Sequence, residues 1–322
     1  MEIFPTFVSK LTISMYQIAV ILINYNSSNF TINAVKSLIE NTSDTLNWQI
    51  VIIDNASEYE DYKKLEKGLP KMDHLTLFRS RINTGFGGGN MLGIQFANAK
   101  YYAFVNNDTL IKNDCLSILL EFLQKNKRVA LCAPQGFDED NNVLKSFDHF
   151  LTLRRELFGR KILEKLNPKR YPKRNKIYET PIKVECIPGS FLFVDANAFN
   201  SVGGFDTNIF LYYEETDLAY RISKLKEQPD CYLMPEAQYI HFRGKSTGSN
   251  IKIKKELKLS LLYVLKKNSS YAHYLILKTF LTIKYLFKSL IKPKSFTFVN
   301  LLLFQGASLS KSLKHSQKIL EK

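Results

Sequence analysis

Cysteine is scarce in this chain: four in 322 residues, at Cys115, Cys132, Cys186 and Cys231, with no CxxC pair. That spacing argues against a zinc knuckle or a disulfide framework and fits a reducing cytoplasm, leaving the four as small core residues. Long apolar runs are missing as well, since none reaches the roughly 18–20 residues that cross a bilayer. Residues 1–15 carry Glu2, Pro5 and Lys10 instead of a continuous apolar stretch, so no secretory signal is read there. Met15, directly before the first expected strand, offers a second translation start. Acid is almost absent from the C-terminal end, where about 15 lysines between Ile251 and Lys322 meet only Glu256 and Glu321.

What is present is ample core material, 45% hydrophobic and 13% aromatic residues, under a net charge of +15. A second basic run, Arg154 to Lys176, sets about ten Lys/Arg against Glu156 and Glu164. It contains Pro168 and Pro172 and has no clear apolar face beyond Leu157–Leu166, which reads as a mobile basic loop. The remainder is mildly acidic. Such asymmetry points to a polyanionic surface, and no nucleic-acid motif accompanies the charge, so membrane phosphates are the better partner. If Leu257–Ile291 is mostly helical, Lys266, Lys267, Lys278, Lys284 and Lys288 fall within about 120° of the wheel. That pattern fits a helix lying in a membrane surface; the alternative is a helical subdomain packed on the core with a solvated lysine face.

Hydrophobic periodicity then places the elements. Gln17–Asn24 and Gln49–Ile53 are continuous apolar runs, as expected of strands buried on both faces. Leu75–Arg79 and Tyr101–Val105 add two strands, while Val184–Ile187, Phe191–Val194 and Gln228–Leu233 read as short ones. Helices are expected over Phe30–Glu40, Tyr59–Gly68, Asn90–Ala99 and Asp114–Lys125. The alternation is that of an α/β fold with a mostly parallel sheet, whose ligand crevice lies at the carboxyl ends of the strands. Tyr25/Asn26, Asp54/Asn55 and Asn106–Asp108 all fall on that edge.

Each of these clusters admits a plain structural reading beside a chemical one. Asp108, delivered by a buried strand, suits a divalent cation that borrows substrate phosphates, or simply ends a strand in a polar turn. Asp54 can accept from the N3–H of uracil or thymine while Tyr25 stacks on the base, or Asp54 and Asn55 can cap a helix. The glycines of Asn83-Thr-Gly-Phe-Gly-Gly-Gly-Asn90 let backbone N–H groups approach an anion at a helix start. This segment is not a dinucleotide fingerprint, because Asn90 occupies the third glycine position and the loop comes too late in the fold. A helix starting near Glu214 pairs Asp217 with Arg221 at i,i+4, an ordinary structural contact. Glu214 and Glu215, by contrast, follow the aromatic run Phe210–Tyr213, a setting that raises a carboxylate pKa and prepares a general base. His241 follows an expected strand, and a neutral imidazole there is a fit ligand for Mn²⁺.

Taken in order, Tyr25-Asn26, Val-Ile-Ile-Asp54-Asn55, Asn83–Asn90, Asn106-Asn-Asp108, Pro188-Gly-Ser190, Gly203-Gly-Phe-Asp206, Glu214-Glu-Thr-Asp217 and His241 resemble family 2 glycosyltransferases, in particular the rhamnosyltransferase-like bacterial branch. The resemblance covers about residues 16–250. It implies a GT-A fold in that span, with residues 1–15 as an N-terminal extension and 251–322 as a basic amphipathic helical region. It implies inverting transfer of rhamnose or a hexose from a dTDP- or UDP-sugar to a saccharide or lipid-linked acceptor, in cell-surface polysaccharide synthesis. The place of work would be the cytoplasmic face of the plasma membrane.

By the same resemblance, Asp108 and His241 hold Mg²⁺ or Mn²⁺, with Asn106 where the family's DxD motif has its first aspartate. Tyr25, Asn26, Asp54, Asn55, Arg81, Asn83, Gly85, Asn90, Asn106 and Asn107 bind the nucleotide sugar, and Gly189, Ser190 and Asp206 border the acceptor. Glu215 takes the catalytic-base position, with Glu214 and Asp217 in the same acidic set. Two rival readings are a catalytically silent scaffold of the same fold and a sugar-phosphate nucleotidylyltransferase. The second lacks its expected catalytic lysine near the first strand.

Overall fold

The computed structural model describes residues 15–242 and 250–321. The expected N-terminal extension therefore lies, apart from Met15, outside the described residues. The first half alternates strand and helix: β1 (Tyr16–Asn24), α1 (Ser28–Asn41), β2 (Trp48–Asn55), α2 (Tyr59–Gly68), β3 (Leu75–Ser80), α3 (Gly85–Gly93), β4 (Ala99–Val105), β5 (Thr109–Ile111), α4 (Cys115–Lys125) and β6 (Val129–Phe137). Then follow α5 (Leu153–Phe158), α6 (Arg160–Leu166), β7 (Ile182–Val184), β8 (Phe191–Asp195), α7 (Ala196–Ser201), α8 (Glu214–Ile222) and β9 (Asp230–His241). Three longer helices complete the chain: α9 (Ile251–Asn268), α10 (Tyr271–Ile291) and α11 (Phe296–Phe304).

The strands form one sheet in the order β3-β2-β1-β4-β8-β6-β9-β5, with β7 also on β9. The β3-β2-β1-β4 half is parallel throughout, whereas β8 runs antiparallel to both β4 and β6. Its central strands are apolar on both faces because helices cover both, giving two clusters centred on Ile18, Val20 and Leu22 and on Ala19, Ile21 and Ile53. All four cysteines are buried and unbridged.

Three sequence expectations change here, and one strand had not been expected. The Asn90–Ala99 helix begins five residues earlier, at Gly85, and ends at Gly93 before a short 3₁₀ turn. The glycine-rich segment is thus itself helical, and it packs against β1 and β2: a Cβ on Gly93 would lie 2.5 Å from Ile21 Cγ2. Strand β6 carries no clean sequence signal because Pro134 and Gly136 interrupt it, and its pairing with β9 shifts register at Pro134/Gln135.

The 154–176 run is not a loose loop. Arg155 is 1% exposed, donating to Glu156 Oε1 (3.0 Å) and His149 O (2.6 Å). Arg160 and Arg174 reach Asp148 at 2.7 and 3.2 Å, and Arg174 also meets Glu164 at 2.7 Å. Burial alone would raise the Asp148 carboxyl, but the three guanidinium groups outweigh it and hold the group below its usual range. Arg155, Arg160 and Arg174 thus turn inward, while the lysines of the run stay exposed.

Finally, Leu257–Ile291 is two helices. Ser270 caps a new N-terminus by accepting from His273 N, so the lysines do not share one wheel. The C-terminal helices pack on the body through Leu261, Leu262, Leu265 and Leu277 against Leu151 and Ile209. Each fully buried leucine contributes about 1.5–3 kcal/mol, more than any exposed ion pair could.

Candidate active site

The parallel strands β1, β2 and β4 end on one edge and place Tyr25, Asn55 and Asn106–Asn107 there side by side. From the far half of the sheet, β5 pairs antiparallel with β9, setting Thr109 opposite His241. That register brings His241 Nε2 to 3.2 Å from Asp108 Oδ1. Between these edges opens a cleft of about 430 Å³.

Its walls include eleven of the sequence-derived residues: Tyr25, Asn55, Asn83, Gly85, Asn106, Asn107, Gly189, Ser190, Glu214, Glu215 and His241. Several are locked by their neighbours. Asn55 donates to Asn83 Oδ1 (3.1 Å) and Gly85 O (3.0 Å) and accepts from Thr84 N (3.0 Å). Asn107 donates to Ser27 Oγ and Thr31 Oγ1, and Ser190 Oγ lies 2.7 Å from the Tyr239 hydroxyl. Preorganised walls of this kind cost little further ordering when a ligand arrives.

Gly85 needs its missing side chain. At φ +77° its Cβ would fall 2.0 Å from Phe210 O, the same carbonyl that accepts from Phe86 N. The 83–86 turn is thereby clasped to the Phe210–Tyr213 run. Tyr212 and Tyr213 both have positive φ, 75° and 71°, a costly backbone for aromatic residues. This strained pair ends directly at α8 and turns Glu214 and Glu215 towards the cleft.

Glu214 is 3% exposed and its Oε2 has no hydrogen-bond partner. Burial first, and then the neighbouring Glu215 charge, push its carboxyl well up. Burial likewise pushes Glu215 up, to about 7. A carboxylate poised near neutrality is matched to accepting a hydroxyl proton.

The Asp108/His241 pair fits a hard divalent cation. Asp108 is buried, and its Oδ1 has no hydrogen-bond partner although His241 Nε2 faces it. Cis ligands of an octahedral cation at about 2.1 Å stand about 3.0 Å apart, close to the spacing of these two atoms. Among the described residues no group of three His, Cys, Asp or Glu comes together, so such an ion would draw its other ligands from phosphate and water.

Seven sequence-derived residues do not line the cleft, among them Asp108, buried 3.2 Å from the cleft-lining His241. Asp54 is fully buried and already engaged by Asn24 Nδ2 (2.9 Å), Ser57 N (3.3 Å) and Arg79 Nε (3.6 Å). Asn26 shapes the adjoining turn, with its N–H to Ser57 Oγ and its Oδ1 accepting from Glu58 N. Asn90 donates to Phe86 O within α3. Arg81 is held by the C-terminal segment, its Nε donating to Leu320 O at 3.0 Å. Asp206 and Asp217 tie α8 to α9: Lys267 reaches both, at 2.7 and 3.0 Å, and Asp217 also accepts from Arg221 and Asn268. The i,i+4 structural reading of Asp217 is the one its geometry matches.

Sequence reasoning missed Lys145, Leu144 and Ile253 on the cleft wall. The first two lie in a segment without periodicity, and Ile253 opens a helix that composition had set apart from the site. Tyr212 was marked only as part of an aromatic run.

A family model described as Glycosyl transferase family 2 matches residues 19–198. Rhamnosyltransferase WbbL of Escherichia coli (strain K12) is 26% identical over 199 residues, 59% of this chain and 72% of that protein. An N-acetylglucosaminyl-diphospho-decaprenol L-rhamnosyltransferase of Mycobacterium tuberculosis is 38% identical over 65 residues, 20% of each chain. The chain spans only 19% of the length of an uncharacterized glycosyltransferase of Rickettsia bellii that it also matches. Among solved structures, GalNAc-T7 with UDP, GalNAc and Mn²⁺ superposes with a TM-score of 0.55 at 16% identity, covering 79% of this chain and 48% of that one. That likeness makes the fold GT-A-like, a mixed α/β sheet flanked by helices. On the family match over more than half its length, the chain belongs to glycosyl transferase family 2.

Proposed function

We propose that the protein is an inverting glycosyltransferase that moves rhamnose or a hexose from a dTDP- or UDP-sugar to a saccharide or lipid-linked acceptor in surface polysaccharide synthesis. It works on the cytoplasmic side of the membrane. The observation that carries this reading is that one cleft is lined both by Glu215, a carboxylate raised to about 7, and by His241, whose Nε2 lies 3.2 Å from the buried Asp108 carboxylate.

In this reading Tyr25, exposed at the cleft mouth, stacks on the base, and Asn55, Asn83 and Gly85 border the ribose and diphosphate. The acceptor enters beside Gly189 and Ser190. Glu215 takes the proton from the acceptor hydroxyl as its oxygen bonds to the anomeric carbon. The bond from that carbon to the diphosphate, on the face opposite the attack, breaks with the leaving group keeping the electron pair, so configuration inverts. Asp108 and His241 would hold Mg²⁺ or Mn²⁺, which when bound supplies positive charge against the departing diphosphate. The relative named for a diphospho-decaprenol substrate supports a lipid-linked acceptor.

A thermal-shift panel of dTDP- and UDP-sugars, with and without Mn²⁺, tests the reading. A bound donor at a hundredfold excess over its Kd adds about 2.7 kcal/mol of apparent stability. A Mn²⁺-dependent upward shift for one nucleotide sugar is expected. No shift with any of them in either condition would move the silent-scaffold reading to the front.

A further inference from the structure

Helix α10 buries one face, through Tyr274, Leu277 and Leu281. The opposite face should be polar on a water-exposed helix. Instead it presents Ile276, Phe280, Ile283, Phe287, Leu290 and Ile291, the last two 77% and 83% exposed. These recur at i, i+4, i+7, i+11 and i+14/15, one continuous stripe down the helix. Helices packed against α10 also expose apolar side chains: Phe304 at the end of α11 is 79% exposed, and α5 leaves Phe158 in the open.

Charge decides what covers such a face. No acidic residue falls between Glu256 and Glu321, while Lys278, Lys284, Lys288, Lys292 and Lys294 flank or follow the stripe. A second copy of the chain would bring these like charges together. An anionic bilayer offers hydrocarbon for the stripe and phosphates for the lysines, each lysine near such a surface adding about 1 kcal/mol. Crossing the bilayer is excluded for this element, since among the described residues no helix is long and apolar enough.

We infer that the outer face of α10 is a docking surface for anionic lipid, on which the helix lies in the membrane plane. This inference does not rest on the identity of the donor or on the catalytic assignment. Because the stripe is solvent-exposed and the helix is anchored through its other face, changing it should leave the fold intact.

The test is cosedimentation of the full chain with phosphatidylcholine vesicles, with or without about one third phosphatidylglycerol. Two variants accompany it: F287S/L290S/I291S, which removes apolar contact, and K284E/K288E/K292E, which reverses charge. Unchanged melting temperature verifies folding. Wild type should partition at least about tenfold better onto the anionic vesicles than onto the neutral ones, and each variant should lose about tenfold or more on them. Failure of wild type to bind anionic vesicles at low salt would overturn the inference, as would equal binding by the serine variant. A concentration-dependent dimer that the serine variant abolishes, with no vesicle binding, would assign the face to a second copy instead.

Discussion

Glu214 and Glu215 are adjacent in sequence but sit in different surroundings, and only the second suits the base proposed above. Glu214 is sealed with one oxygen unpartnered, whereas Glu215 keeps partial access to the cleft and is raised to about 7. The base is needed as the carboxylate, so turnover should climb as pH rises through about 7 and level above it. The same shift carries a stability sign. The folded chain holds these protons where the unfolded chain has released them, so stability falls as pH rises from the ordinary carboxylate range through about 7. Glu215→Gln should lower kcat by about 10²-fold or more, leave donor affinity nearly unchanged, and erase the rising limb of the pH profile. Steady-state kinetics from pH 5.5 to about 9 checks all three. A Gln variant that retains both turnover and the rise would remove Glu215 from the role.

At the scale of elements, the junction of α8 with α9 fixes where those carboxylates point. Asp217 is fully buried among Arg221, Lys267 and Asn268, and Arg221 also donates to Val202 O and Gly204 O, both at 2.7 Å. Removing it takes one of three partners from a buried carboxylate that Lys267 and Asn268 still hold, and withdraws a donor from two carbonyls, so Arg221→Ala should cost about 1–3 kcal/mol. A denaturant midpoint measures the loss, and a midpoint near that of wild type would contradict the clasp. This was a place where sequence spacing spoke clearly, because i,i+4 pairing is local. Strands β1, β2 and β4 were equally legible, since burial on both faces leaves apolar runs such as Ile18–Leu22. Long-range partners were not. Nothing in the sequence tells that Asp148 will gather three arginines, that Leu320 will hold Arg81, or that Gly93 is glycine because Ile21 lies beneath it. The strand ends of the site could be read from pattern, but Lys145 and Ile253 arrive from segments whose placement only packing decides.

On the scale of the whole molecule, the two basic stretches part company. Three arginines of the 154–176 run are folded inward onto Asp148, Glu156 and Glu164 while its lysines stay exposed, and the C-terminal helices pack by leucines. The tail is neither free nor separate. Ser312 and Leu313 N close on the buried Glu256 carboxylate, Lys314 Nζ reaches Thr207 O, and Leu320 returns to the sheet edge at Arg81. A single body thus carries a cleft lined by titratable groups and a lysine-rich apolar face. The central claim, that the cleft binds a nucleotide sugar through Asp108 and His241 and reacts it through Glu215, meets its most direct test in donor binding. Calorimetric titration of the nucleotide sugar that stabilises the wild type, in Mn²⁺, should give an affinity at least about tenfold weaker for Asp108→Asn, and one within about twofold of wild type for Glu215→Gln. Equal affinity in wild type and Asp108→Asn would contradict the account.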